Sequence, residues 1–479
     1  MKKHNVLVDL KVAMNNGYCG IAKENRLVFK MLANAETIKT NGMLVSTNLS
    51  TVFNQYQHAD SSVESIAQAN RFFHEALHHE PLLKARLLTK LKFAKHFFLK
   101  RNRFNLYKIN PVFSNTIWRN VFNKSLGPND KETILKNDFY FSNLTTLHTG
   151  SAAYFKRKLH LDTSQHDFAI FLEPMPVSVS SNTIKIVRYH DAIPVTEPDF
   201  SGSGYSHGTI NTLKICAEDS YFVCNSEPTR EALLQIKPEL ESKTFMIPSA
   251  ISSNYKKVIN EGILKQIMLT RLSGKIVKPD YLPLLRKQIQ NTTNMNYIFN
   301  LATLDPKKNH MLLINAWEKL NYQYDGQIKL VIAANSGWFS KETEKMMLPH
   351  IELGNIIHLD NLSIEELPYL LSHARMFVFP SYTEGFGLPP LEAMQCECPT
   401  IVSDIPAHRW VMGDASLYCD PYDADSLTHA MAKLLYKPDA KGLSAELSRK
   451  GLERVNRYTE ASLSGQWEQL FDRIKSVKI

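Results

Sequence analysis

No uncharged apolar run among the 479 residues is long enough to span a bilayer, so no transmembrane helix is expected. The N-terminal apolar stretch starts at Val6 and is broken at Asp9, too early for the hydrophobic region of a secretory signal. Cysteine is scarce, with six in all. Cys19, Cys216, Cys224 and Cys419 are scattered, and only Cys396 and Cys398 lie close together. A single CxC pair without a second Cys or His pair makes a poor zinc site, so no metal is expected and buried free thiols are. No internal repeat is visible. These absences point to a cytoplasmic chain without structural metal.

Acidic residues are missing from one long interval. Between Pro81 and Asn129 there are none, against eleven basic ones: Lys84, Arg86, Lys90, Lys92, Lys95, Lys100, Arg101, Arg103, Lys108, Arg119 and Lys124. Outside this interval the chain carries 45 basic and 47 acidic residues, so the formal charge of +9 belongs to one segment. Nucleic acid is therefore not an expected partner, and no recognised motif accompanies the charge. Leu83, Leu87, Leu91, Ala94 and Phe98 fall at helical spacing, which predicts a helical insertion over about 52–165. Its basic face is either simply solvated or docks on an anionic membrane surface through residues 81–129, placing the protein peripherally at the inner face. The apolar positions suffice to bury a helix, which favours the first reading.

What is present is a series of short apolar runs rich in Val, Ile and Phe. They are Asn5–Leu10, Phe168–Leu172, Ile184–Tyr189, Tyr221–Asn225 and Thr244–Ile247, then Tyr297–Leu301, Lys329–Ala334, Ile356–Leu359, Met376–Phe379 and Thr400–Ser403. Such runs suit strands buried on both faces of a parallel sheet, and helix-length segments between many of them predict doubly wound α/β domains. The chain is too long for one core, so two Rossmann-like domains are expected. The predicted boundaries are 1–250, a polar interdomain connection at 251–296, and a second domain at 297–458. A C-terminal helix at 459–479 has the first domain as its candidate packing partner.

The richest stretch is Phe379-Pro-Ser-Tyr-Thr-Glu-Gly-Phe-Gly-Leu-Pro-Pro-Leu-Glu-Ala-Met394. A buried strand runs into a loop holding Gly385 and Gly387, and Pro389 and Pro390 mark a first helical turn. Glycines let a ligand approach the backbone, and a helix start favours a diphosphate. Glu384 and Glu392, eight residues apart, are placed to flank one phosphate site. Taken alone, Glu392 would merely complement the helix dipole.

This stretch closely resembles the Glu-x7-Glu signature of the retaining GT-B glycosyltransferases of family 4 (glycosyl transferases group 1), and most of all bacterial mannosyl- and rhamnosyltransferases of surface polysaccharides. The resemblance covers nearly all of about 297–436 and the first domain more patchily. It implies GT-B architecture, two domains facing across a cleft, and retaining, metal-independent hexosyl transfer from a nucleotide-diphosphate sugar to a saccharide or lipid-linked acceptor. GDP-mannose is the favoured donor and no further cofactor is implied. Glu384 would orient the sugar and Glu392 the ribose. Lys308 and Lys307, with Thr303 in the similar Leu301–His310 stretch, would face the diphosphate beside Gly385, Phe386, Gly387 and Leu388. In the first domain, His190 and Asp191 resemble the family's His-Asp at a strand end, where His190 would hydrogen-bond the transferred sugar. Gly20 and Ser226 would lie on the acceptor side. A donor phosphate oxygen would act as base, leaving the protein to place the reactants and stabilise charge.

Four positions depart from the family pattern, among them Lys307, where arginine is common. Ala302 and Ala22 stand where glycine is usual, and Asn335 replaces a lysine in Ala333–Trp338. Two other classes fit the architecture: a nucleotide-sugar epimerase, against which the Glu384/Glu392 spacing argues, and a non-catalytic nucleotide-sugar-binding or scaffolding protein.

Overall fold

A computed structural model describes residues 3–14, 20–46, 61–77, 103–200, 205–273, 279–292, 295–324, 326–335, 337 and 340–477. The chain divides into two compact units, Met1–Ala250 with Leu463–Ile479, and Ile251–Ser462.

The described strands of the first unit are β1 (His4–Asp9), β2 (Ile38–Ser46), β3 (Arg103–Phe104), β4 (Leu106–Lys108), β5 (Asp138–Thr145), β6 (Leu159–Leu161), β7 (Phe168–Phe171), β8 (Val177–Ser178), β9 (Ile184–Tyr189), β10 (Ser220–Cys224) and β11 (Thr244–Met246). Eight form one sheet in the order β11-β10-β9-β7-β1-β2-β5-β4, parallel except for the edge strand β4. The strand order reverses between β1 and β7. The C-terminal helix Glu460–Val477 belongs mainly to this unit. Its Leu463, Trp467, Leu470, Phe471 and Ile474 share a core with Val6 and Phe168.

The second unit carries β12 (Tyr297–Leu301), β13 (Lys329–Ala333), β14 (Ile356–Leu359), β15 (Met376–Phe379), β16 (Thr400–Ser403) and β17 (Leu417–Cys419). Their order is β14-β13-β12-β15-β16-β17, and every pair is parallel. Neighbouring residues of one strand feed different cores. Tyr297, Phe299, Phe377 and Phe379 enter one, while Ile298, Met376 and Val378 enter the other. That alternation, with both faces largely apolar, is why the strands read as near-continuous hydrophobic runs, each large side chain contributing roughly 1.5–3 kcal/mol by burial. The strand order reverses between β12 and β15, and doubly wound sheets bind ligands at the carboxyl ends of strands beside such a reversal.

Seven described strands have no counterpart among the apolar runs: β2, β5, β17 and the short β3, β4, β6 and β8. β2 carries Lys39, Thr40 and Asn41, β5 mixes Asp138, Ser142 and Asn143 with aromatics, and β17 is three residues long. The interval 52–165 contributes helices such as Ser62–Leu77, and also β3 to β6, with β5 paired to β2 inside the main sheet. The helical positions Leu83 to Phe98 lie outside the described residues, as do the basic residues from Lys84 to Arg101. The stretch expected to connect the domains is instead part of the second unit. Helices Glu261–Arg271 and Leu282–Asn291 send Leu264, Ile267, Met268 and Ile289 into its core. Their flanking polar residues hid that periodicity. Cys216, Cys224, Cys396, Cys398 and Cys419 are buried free thiols, and Cys19 lies outside the described residues.

Candidate functional site

Two loops meet at the carboxyl ends of β12 and β15. The first runs from Leu301 to Asn309 and ends in a single turn, Pro306–Lys308, before helix His310–Gln323. The second runs from Pro380 to Gly387 and leads into helix Leu388–Gln395. Asn309 joins them. It takes the left-handed conformation (φ 57°, ψ 42°), and its Nδ2 donates to the Pro380 carbonyl (3.1 Å) and the Pro421 carbonyl after β17 (2.7 Å). The Tyr382 N–H adds a bond to the Lys307 carbonyl at 2.9 Å.

This joining brings Lys308 Nζ to 2.5 Å from Glu384 Oε1, with side-chain exposures of only 15% and 10%. Burial works against an ionised Glu384, but the charges of Lys308 and Lys307 outweigh it and bring the carboxyl down to about 2. The ammonium also lies 5.0 Å from the centre of the Phe379 ring. A cation and a carboxylate, both largely withdrawn from water, thus stand at the switch point.

Gly387 caps the helix at φ 95°, and a Cβ there would meet the His408 ring at 3.2–3.3 Å. His408 is fully buried after β16, and its Nδ1 faces the Ser403 carbonyl at 3.0 Å and the Ser403 hydroxyl at 3.1 Å. Burial pushes its pKa down to about 4, so the ring is neutral at physiological pH; its Nε2 has no hydrogen-bond partner. Because Pro389 and Pro390 lack N–H groups, the helix start offers fewer donors than most. An anion placed there would face the backbone of the glycine loop and the lysines.

The remaining expected donor-site residues divide by what their side chains do. Phe386 and Leu388 are buried in the core, Phe386 edge-on to Tyr458 at 5.5 Å, so only their backbones are left for a ligand. The Thr303 hydroxyl bonds Asp305. Glu392 is buried, and the Tyr255 hydroxyl is hydrogen-bonded to it, a neighbour that no sequence spacing announced. Asn335 has a structural use in place of the family's lysine: its side chain accepts from the Asn361 N–H at 3.2 Å, and its carbonyl accepts from the Leu304 N–H at 3.1 Å. A Cβ at Gly337 would fall 2.7 Å from the Leu304 backbone, so this glycine lets the first loop close down.

In the first unit, His190 follows β9 and is held on both sides. Its Nδ1 is 3.0 Å from Glu24 Oε2 and its Nε2 is 2.8 Å from the Leu172 carbonyl. Both nitrogens therefore have partners, and the expected sugar contact through the ring requires one to be released. Glu24 also binds Arg188, whose Nη1 reaches the Cys224 carbonyl (3.2 Å) and the Ile247 carbonyl (2.6 Å). Burial disfavours charged Glu24, yet Arg188 and His190 more than compensate and hold its carboxyl far below the usual range. Asp191 bonds the Ile193 N–H at 3.2 Å, and Ser226 caps helix Glu227–Ile236 through the Thr229 N–H at 3.2 Å. Gly20 is exposed at the start of helix Gly20–Asn34. The Glu24–Arg188 pair was not foreseen, because a charged residue inside a helix reads as solvent-facing until the sheet covers it.

Comparison with known proteins follows this division of the chain. Residues 283–454 match the family model described as glycosyl transferases group 1. O-antigen chain mannosyltransferase B of Escherichia coli is 35% identical over 147 residues, 31% of this chain and 38% of that protein. An O-antigen chain mannosyltransferase of Salmonella typhimurium is 32% identical over 152 residues, 32% of this chain and 42% of that protein. The chain thus matches less than half the length of these relatives. Among solved structures, Anabaena HepE in complex with UDP and glucose superposes with a TM-score of 0.56 at 11% identity, covering 98% of this chain and 100% of that one. The fold is GT-B, as in solved sugar-transferring enzymes that match along nearly the whole chain.

Proposed function

We propose that the protein is a retaining, metal-independent glycosyltransferase that moves a hexose, with mannose favoured, from a nucleotide-diphosphate sugar to a saccharide or lipid-linked acceptor. The observation that carries the reading is the Lys308–Glu384 pair beside the glycine loop at the β12/β15 switch point. Lys308 and Lys307 supply the positive charge that a departing diphosphate needs. Glu384 offers carboxylate oxygens to sugar hydroxyls, and Gly385 to Leu388 offer backbone N–H groups to phosphate. The matched family model and the mannosyltransferase relatives support sugar transfer and mannose as the sugar; GDP as its nucleotide rests on the family resemblance. Retention rests on the family resemblance, with a donor phosphate oxygen as the base for the acceptor hydroxyl.

A cytoplasmic location belongs to the same proposal, with a solvated basic face favoured over docking on an anionic membrane. Among the described residues no helix is long and apolar enough to cross a membrane. The acid-free interval Pro81–Asn129 is the feature on which docking would rest.

The test is thermal stabilisation by GDP, UDP, ADP and dTDP, followed by assay of the best binder's sugar conjugates for transfer to saccharide acceptors. One nucleotide should raise the midpoint, with about 2.7 kcal/mol of stabilisation at a hundredfold excess over Kd. Stabilisation without transfer to any saccharide would favour a non-catalytic binding protein. No stabilisation by any of the four would overturn the donor site.

A further inference from the structure

The Lys308–Glu384 pair unites the two groups that the proposed reaction would use on different parts of the donor. Lys308 would serve the diphosphate and Glu384 the sugar. With the Lys308 ammonium 2.5 Å from one oxygen of Glu384 and both side chains nearly buried, a diphosphate that draws the ammonium to itself weakens this bond. Glu384 is faced by Lys307 and Lys308 from the loop after β12 and by neutral His408 from the turn after β16. Lys308 is therefore its closest cation.

A nucleotide sugar can satisfy both partners at once. Its diphosphate takes Lys308, and the sugar hydroxyls donate to the carboxylate that Lys308 leaves. A nucleoside diphosphate supplies only half of this exchange. It draws Lys308 away and leaves a buried carboxylate without donors, a costly state.

Resting on the transferase reading above, we propose that Glu384 competes with the nucleoside diphosphate for Lys308, so that the ion pair re-forming after sugar transfer helps expel the product. Glu384 then has two successive roles. It holds the sugar while the sugar is present, and it removes the diphosphate's cation once the sugar has gone. Discrimination between substrate and product follows from one carboxylate changing partners.

The test is a double-mutant cycle read by calorimetric binding of the nucleoside diphosphate and of its sugar conjugate, in wild type, Glu384→Gln, Lys308→Gln and the double variant. Glu384→Gln should tighten the nucleoside diphosphate by about tenfold or more, equivalent to about 1.4 kcal/mol. It should also lower the affinity ratio of nucleotide sugar to nucleoside diphosphate. In the Lys308→Gln background the same substitution should no longer tighten the diphosphate. A carboxylate that only supported the loop would, when lost, weaken both ligands. If Glu384→Gln lowers the unliganded melting point by more than a few degrees, Glu384→Ala takes its place in the cycle. Unchanged or weaker diphosphate binding in the Glu384 variant overturns the proposal. So does equal tightening with Lys308 absent, which would mean plain charge repulsion rather than competition. If no nucleoside diphosphate binds wild type or variants, the transferase reading itself falls and this proposal with it.

Discussion

Replacing Asp9 with asparagine should make the mutant gain stability relative to wild type as pH rises. Asp9 ends β1 with 1% exposure; its Oδ1 accepts the Lys11 N–H at 3.0 Å, while Oδ2 has no partner. The Lys11 ammonium, which could neutralise it, is drawn to Glu173. Burial therefore prevails over the lysine's attraction, and the carboxyl is pushed up to about 7. An acid whose pKa rises on folding destabilises the folded state increasingly as pH climbs from its unfolded value to its folded one. With an ordinary value near 3.9 and about 1.4 kcal/mol per pH unit, the cost is about 1.5 kcal/mol at pH 5 and about 4 kcal/mol above pH 7. Asparagine keeps the acceptor for Lys11 and does not ionise. Its own unpaired amide adds a constant penalty of about 1–3 kcal/mol, which shifts the offset but not the slope. Melting midpoints of Asp9→Asn and wild type should therefore diverge by about 5–10 °C between pH 5 and pH 8, at about 2–4 °C per kcal/mol, and level off beyond. A difference that stays constant over that range would refute the reasoning.

Other substitutions probe the remaining contacts. Glu24→Gln leaves Arg188 and His190 buried without their anion, and urea unfolding should show a loss of about 3–5 kcal/mol; less than 1 kcal/mol would mean that the sheet end tolerates the unpaired guanidinium. Asn309→Gly keeps the left-handed backbone but removes both loop-joining bonds, for an expected cost of about 1–3 kcal/mol, and Asn309→Ala should cost about 1–2 kcal/mol more. Equal melting points for the two would remove backbone strain from the account. Gly337→Ala forces the Leu304–Asp305 segment away from its seat, so nucleotide affinity should fall by about tenfold or more in the same stabilisation assay. Unchanged affinity would show that the first loop does not hold the donor.

Much of the fold was legible because its strands are buried on both faces. Ile184–Tyr189, Tyr297–Leu301, Ile356–Leu359, Met376–Phe379 and Thr400–Ser403 coincide with observed strands to the residue. A near-continuous apolar run of this length, even one holding a buried Lys185 or Asn300, has few uses other than a strand covered on both faces. β2 and β5 were invisible for the converse reason: they accommodate polar residues such as Asn41, whose amide is satisfied by the Asn5 side chain, and that pairing exists only once the strands are adjacent. The connection assigned to 251–296 failed in the same way, because two short helices with three and two core residues carry too weak a period to stand out.

Local order along the chain determined the donor loops of the candidate site. The strand, glycine loop, proline-marked helix start and two spaced glutamates lie within one continuous stretch, and their backbone requirements are written in residue types with few substitutes. Contacts between distant segments were decided by the tertiary structure alone. Lys308 meets Glu384 only because Asn309 fastens two loops whose strands lie side by side in space, while helix His310–Gln323, β13, β14 and the elements around them separate them along the chain. Tyr255 reaching Glu392, Glu24 reaching Arg188 and His190, and the unpaired oxygen of Asp9 have the same origin. Charge and hydrogen-bonding capacity are properties of residues and can be read in order. Which charges face each other out of water depends on the crossover that returns the chain to β15, and no local pattern encodes it.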